Sequence, residues 1–79
     1  RVFLLLENNN FMLNEITDLY YFNSGRWDIK FKNDLLIKLP ISKLDNSINI
    51  AKKFIEKEKI TGNIIIDLRV ANQVIISNE

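Results

Sequence analysis

The chain has 79 residues, carries 11 Lys+Arg against 10 Asp+Glu for a net charge of +1, and contains neither Cys nor His. That composition excludes disulfides, thiolate metal sites and imidazole-based catalysis. The charges are interspersed, so the concentrated basic face of a nucleic-acid binder is missing as well.

Arg1-Val2-Phe3-Leu4-Leu5-Leu6-Glu7 is apolar and short, and Asn8-Asn9-Asn10 follow as a stop. We read it as the end of a helix. Phe11-Met12-Leu13 then forms a second apolar cluster, expected to anchor the loop to the core. The chain opens on Arg1 rather than Met, so we expect a segment cut from a longer protein. No apolar run approaches the length of a membrane span. Any such segment is expected upstream.

A three-strand meander is predicted at about 16–22, 26–32 and 35–39. Tyr20, Tyr21 and Phe22 have high β propensity. Ile16 falls out of the Leu19/Tyr21 alternation, which predicts a bulge or a start just after it. Asn23-Ser24-Gly25 is a turn. Trp27, Ile29 and Phe31 then alternate with Arg26, Asp28, Lys30 and Lys32, the period of a half-buried strand. Asn33-Asp34 tolerates left-handed backbone angles and makes the next turn. Leu35, Ile37 and Leu39 complete the apolar face, and Pro40 ends the strand because it cannot donate to a ladder.

Leu44, Ile48, Ala51, Phe54 and Ile55 recur at helical spacing. They predict an amphipathic helix over about 47–59, capped by Asp45, Asn46 or Ser47 and stopped near Gly62. Ile64 to Val70 is the strongest strand signal. Ala71-Asn72 reads as a turn or bulge, and Gln73 to Ser77 as a last short strand. The fold class is therefore α+β: a mainly antiparallel or mixed sheet, made of the meander plus C-terminal strands, covered on one face by the amphipathic helix in a single domain. Trp27, Ile29, Phe31, Ile37, Leu39, Ile48, Ala51, Ile55, Ile66 and Leu68 are expected between sheet and helix.

Candidate sites are few. No Gly-rich phosphate loop or calcium-loop spacing occurs, and no enzyme activity or cofactor is expected. Asp67 and Arg69 lie two apart on one strand and share a face. Their plain reading is a surface cross-strand ion pair with neighbouring charges. Val74-Ile75-Ile76 is an apolar strand near the chain end, as at a sheet edge that invites another strand. Leu36 and Ile65 fall among charges on the outward face, a small apolar patch or ordinary surface.

The order of pieces carries a resemblance. Gly25-Arg26-Trp27-Asp28-Ile29, Asn33-Asp34, Ile37-Lys38-Leu39-Pro40, a helix and Ile66-Asp67-Leu68-Arg69 together resemble the C-terminal β domain of the bacterial cell-division family FtsQ, or DivIB, over about residues 14 to 77. The chain departs from that pattern at Gly25, where a second Arg is common, at Asn33-Asp34 in place of Asn-Gly, and at Val70-Ala71-Asn72-Gln73 in place of a Pro-Asp-Arg turn. The resemblance implies a non-enzymatic scaffold of the septal cell-wall machinery. It implies a membrane anchor and a POTRA domain upstream, with this domain on the periplasmic side of the inner membrane. It also implies binding of the FtsB–FtsL pair, whose FtsB supplies a strand to the last strands of the sheet. The partner-binding residues expected on this basis are Arg69, Val70, Gln73, Val74, Ile75 and Ile76, with Arg26 if its strand adjoins that of Asp67. The alternative is an unrelated small α+β accessory or interaction domain of a larger protein.

Overall fold

The computed structural model describes residues 2–70 and 73–78. The elements are α1 (Val2–Asn8), a single 3-10 turn (Leu13–Glu15), β1 (Ile16–Tyr21), β2 (Trp27–Phe31), β3 (Leu36–Lys38), α2 (Leu44–Glu58), β4 (Ile64–Asp67) and β5 (Ile75–Asn78). The strands form one five-stranded sheet in the order β1-β2-β3-β4-β5. β1, β2 and β3 are the expected antiparallel meander, β3 and β4 are parallel, and β5 returns antiparallel to β4. The α+β class and the mixed, mostly antiparallel sheet agree with the sequence reading. The parallel pair exists because α2 carries the chain back between β3 and β4, a reversal that no tight turn can supply.

Register follows the period-two pattern. Leu19, Ile29, Ile37, Ile66 and Ile76 lie side by side across all five strands. The three central members, Ile29, Ile37 and Ile66, are fully buried. α2 covers this face with Ile48 and Ala51, and the half-buried Leu44 and Ile55 pack at its margins. α1 adds Val2 and Leu6 to the same core, and Phe11 stacks on Phe31 at 5.5 Å between ring centroids. Met12 does not help anchor this loop, because it is exposed. The sheet shifts register between Ile16 and Asp18, which is the anticipated bulge.

Four boundaries and two burial assignments need correction. α2 begins at Leu44, one turn before the expected start, and ends at Glu58. Its N-cap is Lys43, in a left-handed conformation without a side-chain cap bond. Asp45 is occupied elsewhere: the buried Asn9 amide donates to its Oδ1 at 2.9 Å and to the Leu5 carbonyl at 2.8 Å, while Asn49 donates to Asn9 Oδ1 at 3.0 Å. This amide clasp ties α1 to α2. The helix stops at Lys59, whose φ is 53°, and not at Gly62. β4 ends at Asp67 rather than Val70, and β5 is displaced to Ile75–Asn78. Ala71 and Asn72, expected as a turn or bulge, lie outside the described residues. Trp27 and Ile55 face the core but are only half-buried. Trp27 stands near the end of β2, opposite the exposed Tyr21, and packs on that ring at 4.7 Å between centroids.

The β3–β4 pairing is locked at its entrance. Asn33 Nδ2 donates to the Thr61 carbonyl at 2.8 Å, and the Asn63 N–H donates to the Asn33 carbonyl at 3.1 Å. Gly62 sits inside this clasp with φ +148°, and a Cβ there would lie 2.1 Å from the Asn33 carbonyl oxygen. Gly62→Ala is therefore expected to destabilise the domain by more than ~2 kcal/mol, from steric conflict plus backbone strain. Gly25 (φ +90°) has nothing within 4 Å of a Cβ, so Gly25→Ala should cost only the conformational penalty of about 1–2 kcal/mol. Urea unfolding of both variants checks the order. Equal losses would mean that the Asn33–Gly62 contact does not hold the crossover.

Candidate functional site

β5 is an edge strand. All four of its residues are exposed, among them Ile75 and Ile76, and the preceding Val74 is exposed too. The direction of its backbone groups follows from the hydrogen-bond pattern. The Leu68 N–H donates to the Lys38 carbonyl at 2.9 Å. Alternation along β4 then turns Ile66 and Leu68 toward β3, and Ile65 and Asp67 toward β5. Opposite these two stand Ser77 and Ile75. Ile75 and Ser77 thus use their main-chain groups on β4, while those of Ile76 and Asn78 point outward. The outer side chain of this pair is Ile76, on the helix-covered face. Ile75 and Ser77 lie on the open face.

That open face is polar in rows. Tyr20, Asp28, Lys38, Asp67 and Ile75 lie across the sheet in register, with Lys38 between the two aspartates. Asp28 is buried at 7% exposure although no helix covers it, because Arg26 folds over it. Arg26 Nη1 donates to Asp28 Oδ1 at 2.6 Å and to the Leu39 carbonyl at 3.3 Å, and its guanidinium stands 4.6 Å from the Phe22 ring centroid. Sequence reasoning missed this buried carboxylate. An Arg two residues before an Asp on a strand is the signal that could have found it. Leu36 and Ile65 pair with each other on the same face and are half-buried.

Asp67 and Arg69 form the second pair. Arg69 Nε donates to Asp67 Oδ1 at 2.9 Å and Nη2 to Oδ2 at 2.6 Å, and the Arg69 backbone N–H also donates to Oδ1 at 3.0 Å. The pair closes within one segment and is not cross-strand. The Arg69 side-chain hydrogen bond holds the Asp67 carboxyl below the ordinary carboxylate range, against the upward push of its partial burial, with the Arg69 and Lys38 charges adding to the lowering. The guanidinium of Arg69 is raised in turn, first by the hydrogen bond to Asp67. Nη1 of Arg69 has no partner among the described residues, and its side chain is 45% exposed.

Beside the start of β5 lies a cleft of about 650 Å³. Its walls are the β3–α2 connection at Pro40, Ile41, Ser42 and Lys43, the first turns of α2 at Asn46, Ser47 and Ile50, and the segment Leu68, Arg69 and Val70 with Gln73 and Val74. The sequence-predicted residues Arg69, Val70, Gln73 and Val74 thus share one cleft, and Ile75 and Ile76 continue from it along the edge. Arg26 stands apart. β3 separates its strand from β4, so the expected adjacency of Arg26 and Asp67 does not occur. Ile41 and Ile50 were missed. Ile50 lies off the helix's apolar stripe, and that misfit was the available signal.

Comparison with protein-family models, with curated proteins and with solved structures gives no match for this chain. Among the described residues no cluster of carboxylates could hold a metal ion, and no helix is long and apolar enough to cross a membrane. What the geometry offers is a sheet edge, a cleft at one end of it and a fixed guanidinium between them. These are the components of a peptide-binding surface.

The Asp67–Arg69 pair makes stability depend on pH. A carboxyl depressed in the folded state adds stability that is complete above its unfolded value near ~4, and that is lost as pH falls through the folded value. Asp67→Asn is expected to lower stability above about pH 4, where the contribution of the pair is complete, and to flatten the acid limb of the stability–pH curve, so that the difference from wild type shrinks as pH falls. An unchanged acid limb in urea unfolding across that range would show the pair to be thermodynamically silent.

Proposed function

We propose that this domain is a non-enzymatic binding module of the bacterial cell-division machinery, of the FtsQ/DivIB kind, which receives a strand of the FtsB–FtsL pair on β5. The observation that carries the reading is the edge of β5, exposed on both faces, where the outward main-chain groups of Ile76 and Asn78 meet no strand among the described residues. Support also comes from the order of elements. The Arg26-Trp27 strand, the Asn33-Asp34 turn, the helix and the Ile66-Asp67-Leu68-Arg69 segment occur in the sequence order of that family, and the last of these leads into the edge. On this reading the domain acts outside the inner membrane, anchored by a segment upstream.

Strand addition suits this surface physically. Main-chain hydrogen bonds supply much of the affinity, and side chains at alternate positions supply specificity. A residue opposite Ile76 would extend the apolar row Leu19, Ile29, Ile37, Ile66 and Ile76 by one more member. Arg69 would offer its remaining Nη1 donors to an acidic or carbonyl group, held in place by the two bonds to Asp67. Val70, Gln73 and Val74 would contact the incoming chain where it leaves the edge.

The test is binding of the extracytoplasmic FtsB–FtsL segment to the chain and to two proline variants. Ile76→Pro removes an outward donor and blocks pairing, so affinity should fall more than about tenfold with little loss of folding. Ile75→Pro removes a donor to β4 and should destabilise the domain itself, by about 1–3 kcal/mol. Calorimetric titration and thermal melting on the same samples separate the two effects. Full affinity in a folded Ile76→Pro variant would exclude strand addition at β5.

A further inference from the structure

The sheet has a second edge, β1, and its surface is aromatic: Tyr20, Tyr21 and Phe22 are all exposed. The direction of its main-chain groups follows from two hydrogen bonds. The Phe22 N–H donates to the Arg26 carbonyl at 2.9 Å, which turns Phe22, Tyr20 and Asp18 toward β2. The Leu39 N–H donates to the Trp27 carbonyl at 2.9 Å, so Trp27 faces β3 and its neighbour Asp28 faces β1, in agreement. The backbone groups of Leu19 and Tyr21 therefore point away from the sheet, and no strand among the described residues meets them. Sheet edges are usually blunted by a lysine, a proline or a bulge. Residues 18–22 hold neither Lys nor Pro. The bulge lies before them, between Ile16 and Asp18, and the turn at Asn23 and Ser24 follows them.

We infer that β1 pairs antiparallel with β1 of a second copy of this chain, joining the two sheets across a two-fold axis at Tyr20. The limits of the stretch set the register, because only a pairing centred on Tyr20 uses all of residues 18–22. Leu19 of each copy then meets Tyr21 of the other. These are the residues whose main-chain groups point outward, so they exchange N–H and C=O bonds. Tyr20 meets its own counterpart as a non-hydrogen-bonded pair, the closer of the two kinds. On the helix-covered face, Leu19 of the second copy would cover Tyr21, which already packs on Trp27. Charge is complementary in the same register, and this favours a second copy over an unrelated strand. Asp18, the only charged residue of the stretch, is exposed, and Lys30 opposite it pairs with Asp34 instead. Asp18 would stand opposite Phe22 of the second copy, whose ring carries the Arg26 guanidinium at 4.6 Å. Arg26 bonds Asp28 and the Leu39 carbonyl through Nη1, and Nε and Nη2 have no partner among the described residues. The two-fold axis repeats this contact at the other end. Registers centred on Leu19 or Tyr21 would set Asp18 against Tyr20 or Ser24 and leave part of the stretch unpaired. The contact uses no group of β5, so it is independent of strand addition there.

The experiment is sedimentation equilibrium of wild type, Tyr20→Lys, Asp18→Lys and Ile76→Pro, with thermal melting of each and amide shifts of the labelled wild-type chain followed on dilution. A strand pair this short buries less than the ~1,200 Å² of a standard interface, so a Kd on the order of 0.1 mM is expected. Tyr20→Lys sets two ammonium groups face to face at the axis, and Asp18→Lys sets one against Arg26. Each should melt like wild type and weaken self-association roughly tenfold or more. Ile76→Pro should dimerise like wild type, and the shifts that change on dilution should fall at residues 18–22. A wild-type chain still monomeric at about 1 mM overturns the proposal, and so does undiminished dimerisation of folded Tyr20→Lys and Asp18→Lys. Loss of the dimer in Ile76→Pro, with shifts at residues 75–78, would assign self-association to β5 and overturn it too. Capture of another strand at β1 by a chain that stays monomeric would give this edge a different partner and exclude the dimer. If Tyr20→Lys proves unstable, Asp18→Lys, altered only at an exposed side chain, decides the matter alone.

Discussion

The parallel pairing of β3 with β4 is the constraint on which the rest depends. Without it the chain is a three-stranded meander with two helices attached and nowhere for the Ile64–Asp67 strand to go. The pairing requires α2 to cross the sheet and return in register, so that Ile37 meets Ile66 and Lys38 meets Asp67. The Asn33–Gly62 clasp sets where the return begins, because the Asn33 carbonyl occupies the space a side chain at 62 would need. A slip of one residue would turn Ile66 and Leu68 to the open face and bring Ile65 and Asp67 into the core. Burying an unpaired Asp67 would cost more than any hydrogen bond the slip could recover.

That register separates the two faces of the sheet. One face is a continuous apolar row under α1 and α2. The other carries Arg26, Asp28, Lys38, Asp67 and Arg69, with the cations and carboxylates alternating across strands β2 to β4. The Arg26–Asp28 pair is the more enclosed, at 16% and 10% side-chain exposure, and lies against the Leu39 carbonyl. The more open Arg69–Asp67 pair leads directly toward the free edge. A domain of this size buries only about 60% of its unfolded surface, and long charged side chains lying along the sheet replace the second layer of helices it lacks.

The surface is asymmetric along the same axis. At one end the meander closes with Asn33, Asp34 and the crossover clasp. At the other the uncapped N-terminus of α2, the cleft and the start of β5 come together. The αL residue at the N-cap leaves the first turn of the helix without a side-chain acceptor. Asp45 lies inside the first turn of α2, past the cap position, and its Oδ1 accepts from the buried Asn9 amide, which ties α1 to the start of α2.

The sequence by itself determined the class, the meander, the bulge after Ile16, the left-handed Asp34 turn, the apolar stripe of Ile48 and Ala51, and the apolar character of the last strand. These depend on period and turn chemistry, which act over a few residues and are written locally. Tertiary structure alone decided the rest. That β4 pairs parallel with β3, that β3 separates Arg26 from Asp67, and that Trp27 sits half-buried at a strand end all depend on where distant segments meet. The same holds for the cap at Lys43, because the helix begins at Leu44 and takes Asp45 into its first turn, where the carboxylate accepts from Asn9, 36 residues away. Which of Ile75 and Ile76 points its N–H outward was undecidable from composition, since both are apolar and adjacent. The direction of one hydrogen bond, from Leu68 to Lys38, decides it through the alternation of the sheet.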